Sequence, residues 1–395
     1  MARKKQLKFY TLHNKVKLLR GGADYFDCIE QMADNARYSI HLQTYIYDPD
    51  ETGTRVAEAL IRAANRGVLV YVLIDGFASK HMSHEFIGRL RAAGIHFSFF
   101  KTFIRSSGYY FGRRLHHKVV VADGNTCLVA GVNISNRYND INGTPAWLDW
   151  AVYAEGEVAL QLDRICISVW DRSVFRKKCT ATANPLSLKL PEETCPVRVS
   201  RNDWVFKQTQ ITKTYRQLLD EAKSHVTIMT GYFVPPRRLL KKMAVASRRG
   251  VKIRLILAGV ADVPFSKYAE RYLYAWLFRH KIEVYEYQKN ILHGKMAVCD
   301  NEWITVGSYN FNNLSAFASI ELNLDIIDTN VANDVNAKFE AIIANDCVPI
   351  LEEGFTASTN LLTKFFFYLS YRIVHLTFVL FTFYFFQQNE KSENK

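Results

Sequence analysis

The sequence predicts an α/β protein built from two copies of one unit, each a mixed sheet flanked by helices, packed about a pseudo-twofold axis. Three observations carry that prediction. A strand–helix–strand pattern occurs twice, a short polar motif follows each occurrence, and the offset between the motif copies does not drift. Matched halves without drift argue for duplication.

The first copy opens "ARYSIHLQTYIYDPDETGTRVAEALIRAANRGVLVYVLIDG", from Ala36 to Gly76, and the second "AKSHVTIMTGYFVPPRRLLKKMAVASRRGVKIRLILAG", from Ala222 to Gly259. Each begins with an alternating run that ends near a tyrosine, Tyr45 or Tyr232. A stretch with apolar residues three and four apart follows, then Arg-Gly-Val (Arg66 to Val68, Arg249 to Val251), then a continuous apolar run. Alternation reads as a strand, the three-and-four spacing as a helix, and the apolar run as a buried parallel strand. The glycine of each Arg-Gly-Val falls where a helix end leaves the right-handed region. Both copies repeat the pattern once more, "EFIGRLRAAGIHFSFF" leading to "HHKVVVADGNTCLVAGVNIS" and "RYLYAWLFRHKIEVYEY" to "LHGKMAVCDNEWITVGSYNF". Between the halves, 177–200 is a polar, proline-containing stretch and reads as a linker. The expected units are 1–176 with a basic lead, the linker 177–200, 201–355, and a tail 356–395.

Composition narrows the functional classes. At 395 residues with 49% hydrophobic side chains, the chain can bury large cores and is not disordered. An excess of 51 Lys and Arg over 38 Asp and Glu gives a net +13, which favours nucleic acid or an anionic membrane as partner. The seven cysteines form no CxxC pair and are odd in number, so reduced thiols fit better than disulfides or zinc. The start, "MARKKQLKFYTLHNKVKLLRGG", has no apolar run after its charges and is not a signal peptide. The catalytic part is therefore expected on the cytoplasmic side.

Each half carries His-x-Lys-x4-Asp: His116, Lys118, Asp123 and His293, Lys295, Asp300. A small-residue turn with Asn follows, Ala130 to Asn133 and Gly307 to Asn310. His293 lies 177 positions after His116, and Asn310 lies 177 after Asn133. Residues two apart in a strand share a face, so each His projects with its Lys. A neutral imidazole can attack phosphorus while ammonium and amide groups hold the phosphate oxygens. Two such faces brought together supply one nucleophile and one acid around a single phosphodiester. Asp149 in "WLDW" and Glu321 in "SIELN" sit at corresponding places downstream. A carboxylate behind an imidazole can fix its tautomer and raise its basicity.

These paired motifs resemble the phospholipase D superfamily. "TGYFVPPRRLL", "YEYQKNILHGKMAVCD", "GSYNFNNLSAFASIELN", "YIYDPDETG" and "PAWLDWAVYAEG" are similar to bacterial cardiolipin synthases, and the resemblance covers roughly residues 18 to 350. It implies two phospholipase D-like domains whose sheets meet at a shared active site, with no metal and no cofactor. It further implies a covalent phosphohistidine, with His116 as nucleophile and His293 as acid–base by family analogy; symmetry leaves that order open in the sequence itself. Lys118, Lys295, Asn133 and Asn310 match phosphate-binding positions. Asp123 and Asp300 belong to the motif but read as structural anchors rather than participants in bond breaking. The sequence departs from the pattern in its adjacent His116 and His117, of which only His116 is in register.

The implied reaction moves a phosphatidyl group from phosphatidylglycerol to a lipid hydroxyl. The alternatives are hydrolysis by a phospholipase D or nuclease with the same histidines, and a lipid-binding scaffold without chemistry. No nucleic acid is required as partner. Many of the resembled enzymes begin with transmembrane helices and this chain does not, so attachment to the cytoplasmic face of the cell membrane is expected from two other features. One is the basic cluster Arg237, Arg238, Lys241, Lys242, Arg248 and Arg249. The other is "FFFYLSYRIVHLTFVLFTFYFF", Phe365 to Phe386, a helix about 33 Å long if continuous.

Overall fold

A computed structural model describes residues 7–100, 113–174, 178–180, 189–312 and 319–376. Among them, eight strands belong to the first half. They are β1 (Asn14–Arg20), β2 (Ser39–Thr44), β3 (Leu69–Asp75), β4 (His96–Phe100), β5 (Arg114–Leu115), β6 (Lys118–Ala122), β7 (Thr126–Ala130) and β8 (Trp150–Gly156). All but β5 form one sheet in the order β1-β8-β7-β6-β2-β3-β4. The second half supplies β9 (Val197–Asp203), β10 (Gln208–Thr209), β11 (His225–Thr230), β12 (Phe233–Val234), β13 (Lys252–Val260) and β14 (Glu283–Ile291). It continues with β15 (Lys295–Cys299), β16 (Trp303–Gly307), β17 (Phe311–Asn312), β18 (Ser319–Ile327) and β19 (Cys347–Ile350).

The second sheet runs β10-β9-β18-β16-β15-β11-β13-β14-β19. Stripped of its edges β10 and β19, it matches the first sheet strand for strand. In each, three parallel strands (β2, β3, β4; β11, β13, β14) are followed by antiparallel neighbours carrying the motif. The duplication seen in the sequence is a duplication of topology.

Helices flank the sheets as the patterns require. In the first half they are α1 (Ala23–Asn35), α2 (Glu51–Asn65), α3 (His84–Ala92) and α4 (Glu157–Ser173). Asp50 caps α2 by accepting from the Gly53 amide at 3.0 Å, satisfying one of the amide groups a helix start leaves unpaired. The second half has α5 (Gln210–Glu221), α6 (Arg237–Arg248), α7 (Pro264–Arg271), α8 (Tyr274–Arg279), α9 (Thr329–Asp346) and α10 (Glu352–Ser358). A further helix occupies 361–376. Gly67 and Gly250, after α2 and α6, have φ of 88° and 91°, the left-handed exit expected of each Arg-Gly-Val. Its arginine has a separate task. Arg66 donates to the Ala33 carbonyl at 2.7 Å and Arg249 to the Leu219 carbonyl at 2.8 Å, so each closes the C-terminal end of a neighbouring helix.

The two sheets face each other across one apolar layer. Val119, Val121 and Val129 of the first share it with Met296, Val298 and Val306 of the second, capped by Leu162 of α4 and Phe339 of α9. Two further cores lie beneath the outer helices, one per half. The central layer fixes how the halves meet, and with it the site.

Two boundaries move. Residues 197–200, expected in the linker, form the start of β9, which pairs antiparallel with β18 inside the second sheet. Val197 and Val199 face the central core there, and that alternation decides for a strand. The expected cut at 355 falls within α10, where Phe355 packs on Tyr274 and Phe278. The helix at 361–376 likewise is not a free tail. Phe367 and Ser370 are buried, and Phe367 stacks on Phe355 and touches Tyr268. Residues 377–386 of the aromatic run lie outside the described residues. Among the described residues no helix is long and apolar enough to cross a membrane.

Candidate active site

Lys118 and Lys295 open β6 and β15, two central strands whose remaining side chains are all buried and apolar. Each histidine stands two residues earlier, on the loop that feeds the strand. At both places that loop is tied to the opposite half. β5, just before His116, pairs parallel with the start of β18, and the His116 amide donates to the Ile320 carbonyl at 3.0 Å. Leu292, just before His293, bridges to Leu148, whose carbonyl accepts the His293 amide at 2.8 Å. The next residue after each accepting carbonyl is a carboxylate, Glu321 or Asp149.

That register crosses the pairs. His116 Nδ1 donates to Glu321 Oε2 at 2.9 Å, and His293 Nδ1 donates to Asp149 Oδ2 at 2.5 Å. Each imidazole is thus oriented by an acid from the other half, and its Nε2 is left for chemistry. Glu321 and Asp149 each face one imidazole. Asp149 Oδ1 is held by the Trp150 amide at 2.8 Å, and Glu321 Oε2 also accepts from Ser308 Oγ at 2.5 Å. The position matching Ser308 in the first half is Gly131, where a Cβ would overlap the Asp149 carboxylate. The two halves therefore support their acids differently.

The lysines are fully buried, each with its ammonium turned back onto the carbonyl of its own histidine: Lys118 Nζ to His116 O at 2.6 Å, and Lys295 Nζ to His293 O. Burial pushes Lys118 down to about 7 and Lys295 down to about 8, against the pull of Glu321 and Asp149. The mutual field of the two ammonium groups adds to the drop at Lys118. Asp149 Oδ2 stands 3.9 Å from Lys295 Nζ. Burial also lowers both imidazoles, His293 to about 4.

Aromatic rings wall the cleft. Tyr45 packs on His116 at 4.7 Å between centroids, with Lys118 Nζ 5.2 Å above the same ring. Tyr138 and Trp147 pack on His293 at 5.1 and 6.1 Å. The side chains of His116 and His293 are 15% and 8% exposed, so the site is a narrow cleft. Asn133 is buried beside Tyr138, with its Oδ1 accepting the Ile46 amide at 3.2 Å; Asn310 is buried two residues past Ser308. The sequence gives Tyr45, Tyr138, Trp147 and Ser308 no role; Tyr45, Trp147 and Ser308 lie within the quoted phrases, but nothing in a linear pattern says which histidine or acid they touch.

Asp123 and Asp300 are elsewhere. Both sit past the far ends of β6 and β15 in left-handed backbone, φ 55° and 51°. Asp123 accepts the amides of Arg37, Tyr38 and Ser39, and Asp300 those of Lys223, Ser224 and His225, all between 2.7 and 3.0 Å. They are grouped with the catalytic residues by the motif, yet they hold a neighbouring strand's entry rather than the cleft, and they are half-buried rather than buried. His117 faces away from the cleft as strand geometry requires, with Nε2 on Gln43 Oε1 at 2.8 Å.

A duplicated sheet pair with one shared, two-histidine cleft defines a phospholipase D fold, and comparison with known proteins gives the branch. The family model described as "Cardiolipin synthase, PLD-like domain" matches residues 29–166 and 215–343. Cardiolipin synthase B of Salmonella typhi is 34% identical over 342 residues, covering 86% of this chain and 83% of that protein. Cardiolipin synthase B of Escherichia coli K12 is 33% identical over 346 residues, with the same coverage. Among solved structures, phosphatidylserine synthase of Haemophilus influenzae Rd KW20 superposes with a TM-score of 0.68 at 16% identity, covering 88% of this chain and 91% of that one. The chain belongs to the cardiolipin synthase branch of the phospholipase D superfamily, and it is a phosphatidyltransferase of that family.

Proposed function

We propose that the enzyme makes cardiolipin-type lipid by moving a phosphatidyl group from phosphatidylglycerol to a lipid hydroxyl, through a phosphohistidine on His116. His116 Nε2 attacks phosphorus and the bond to the glycerol oxygen breaks, with the leaving oxygen taking a proton from His293 Nε2. The acceptor hydroxyl then gives its proton to His293 and attacks phosphorus, releasing His116. Lys118 and Lys295, with Asn133 and Asn310, hold the non-bridging oxygens as charge builds. An anion between the lysines restores their protonation and raises His293 towards the range where it can act as an acid.

The observation that supports this reading is the crossed pair of imidazole–carboxylate contacts around one cleft, together with two buried lysines whose charge awaits a phosphate. The aromatic walls and low exposure limit water and so favour transfer over hydrolysis. Membrane attachment at the cytoplasmic face through the basic surface and the tail completes the proposal.

The test uses phosphatidylglycerol labelled in its phosphate. His293→Ala, lacking both the acid of the first step and the base of the second, should form a labelled, acid-labile and alkali-stable protein adduct slowly but accumulate it; His116→Ala should form none, and both should lose lipid product. Adduct on His116→Ala alone reverses the two roles. Near-normal product from either variant removes the two-histidine mechanism, and phosphatidate as main product makes the enzyme a hydrolase.

A further inference from the structure

The helix α7, "PFSKYAER", is inside out. Phe265, Tyr268 and Tyr272, spaced three and four apart on one face, are 42%, 45% and 39% exposed. Its opposite face buries charge. Lys267 Nζ contacts Glu270 Oε1 at 2.6 Å and Glu286 Oε1 at 2.8 Å, and Tyr274 donates to the same Glu286 at 2.8 Å. A helix on a water-facing surface normally has the reverse polarity. Burying charge is costly unless every partner is in place, and here the network pins α7 to β14. The sequence thus holds an aromatic face outward in a fixed position.

Three features say what that face meets. The preceding loop lies at the rim of the catalytic cleft, because Asp262 accepts from Tyr232 at 2.5 Å and its charge reaches Lys295. Exposed Val263 stands beside it. The helix 361–376 lies against the same face through Tyr268 and Tyr272, and turns Leu362, Phe366 and Ile373 to solvent. Arg237 of the basic helix α6 reaches Tyr371, so cationic and apolar surfaces are continuous. Tyrosine flanked by basic residues and aliphatic side chains is the chemistry of the headgroup boundary.

We infer that α7 and the helix 361–376 form one docking face for an anionic bilayer, which seats the cleft rim at headgroup level. This rests on the reading that the substrate is a membrane phospholipid, but binding and turnover test the two separately. The full-length protein and its Phe265→Asp variant are floated with vesicles of phosphatidylcholine containing phosphatidylglycerol, and turnover is measured on phosphatidylglycerol dispersed in detergent. Phe265→Asp should weaken vesicle binding about tenfold and keep its turnover in detergent, since an exposed ring that would enter the bilayer is replaced by a charge. Leu190→Asp, at an exposed apolar position elsewhere, should bind as wild type. Hydrogen exchange over 260–272 should slow further when vesicles are added.

Flotation of Phe265→Asp at wild-type affinity overturns the inference. So does exchange over 260–272 that vesicles leave unchanged. A wild-type dimer that Phe265→Asp splits, with vesicle binding unchanged, assigns the face to a second copy instead. Failure of wild type to turn over dispersed phosphatidylglycerol removes the proposed reaction and leaves the flotation result to stand on its own.

Discussion

At Lys118 and Lys295 burial and function pull in opposite directions. An ammonium taken out of water loses its hydration, and Lys118 also feels the charge of Lys295, so both protons are held more loosely than in water. Sulfate keeps a constant charge above pH 5 and so reports on the lysines alone. Its affinity should be greatest below pH 7, where both are protonated, and should fall as the pH passes the values near 7 and 8. Thermal unfolding with and without sulfate measures this. The rise in Tm at pH 6 should shrink by more than half at pH 9 and should be weak throughout in Lys118→Met. A sulfate effect that ignores pH over that range would mean the lysines stay charged when the site is empty, or that sulfate binds elsewhere.

Among the elements, the motif strands β6 and β15 are anchored at both ends by different chemistry. At one end the histidine loop pairs with the other half; at the other a single carboxylate gathers three backbone amides. Asp300→Ala leaves those amides of Lys223, Ser224 and His225 without their acceptor, at a position water can partly reach. The expected cost is about 1–3 kcal/mol of stability, read by urea unfolding, with specific activity of the folded protein within about threefold of wild type. A large loss of turnover without loss of stability would return Asp300 to the catalytic group. Much of this scale was legible in the sequence. Period-two runs and the Arg-Gly-Val turns placed the parallel strands, and the two motifs fall at the starts of β6 and β15. What escaped has a common cause. The start of β9 was hidden because "PVRVSRND" is short, mixed in polarity and preceded by prolines, and only its place beside β18 makes it a strand. The helix 361–376 reads as an isolated apolar segment because its partners, Tyr268, Tyr272 and Phe355, are distant in sequence.

For the molecule as a whole, the crossed acids make the halves inseparable. Sequence located Asp149 and Glu321 but could not say which imidazole each serves, since that depends on how two sheets face one another. The crossing has a kinetic signature. Under the proposed roles, Glu321→Gln should act chiefly on formation of the phosphoenzyme, through His116, while Asp149→Asn should slow both formation and transfer, because His293 gives a proton in the first step and takes one in the second. Each change should lower kcat by about 10²–10⁴-fold, the scale on which a misoriented imidazole is felt. Single-turnover labelling separates the two steps. If Asp149→Asn leaves both steps at the wild-type rate, the crossed contacts have no kinetic meaning. The crossing also bears on inheritance. A lesion arising in one repeat shows itself as a defect in the chemistry of the other, so neither copy can drift or specialise alone. Two separately encoded copies would have to meet one to one before either worked; joined in one polypeptide, that ratio is written into the gene.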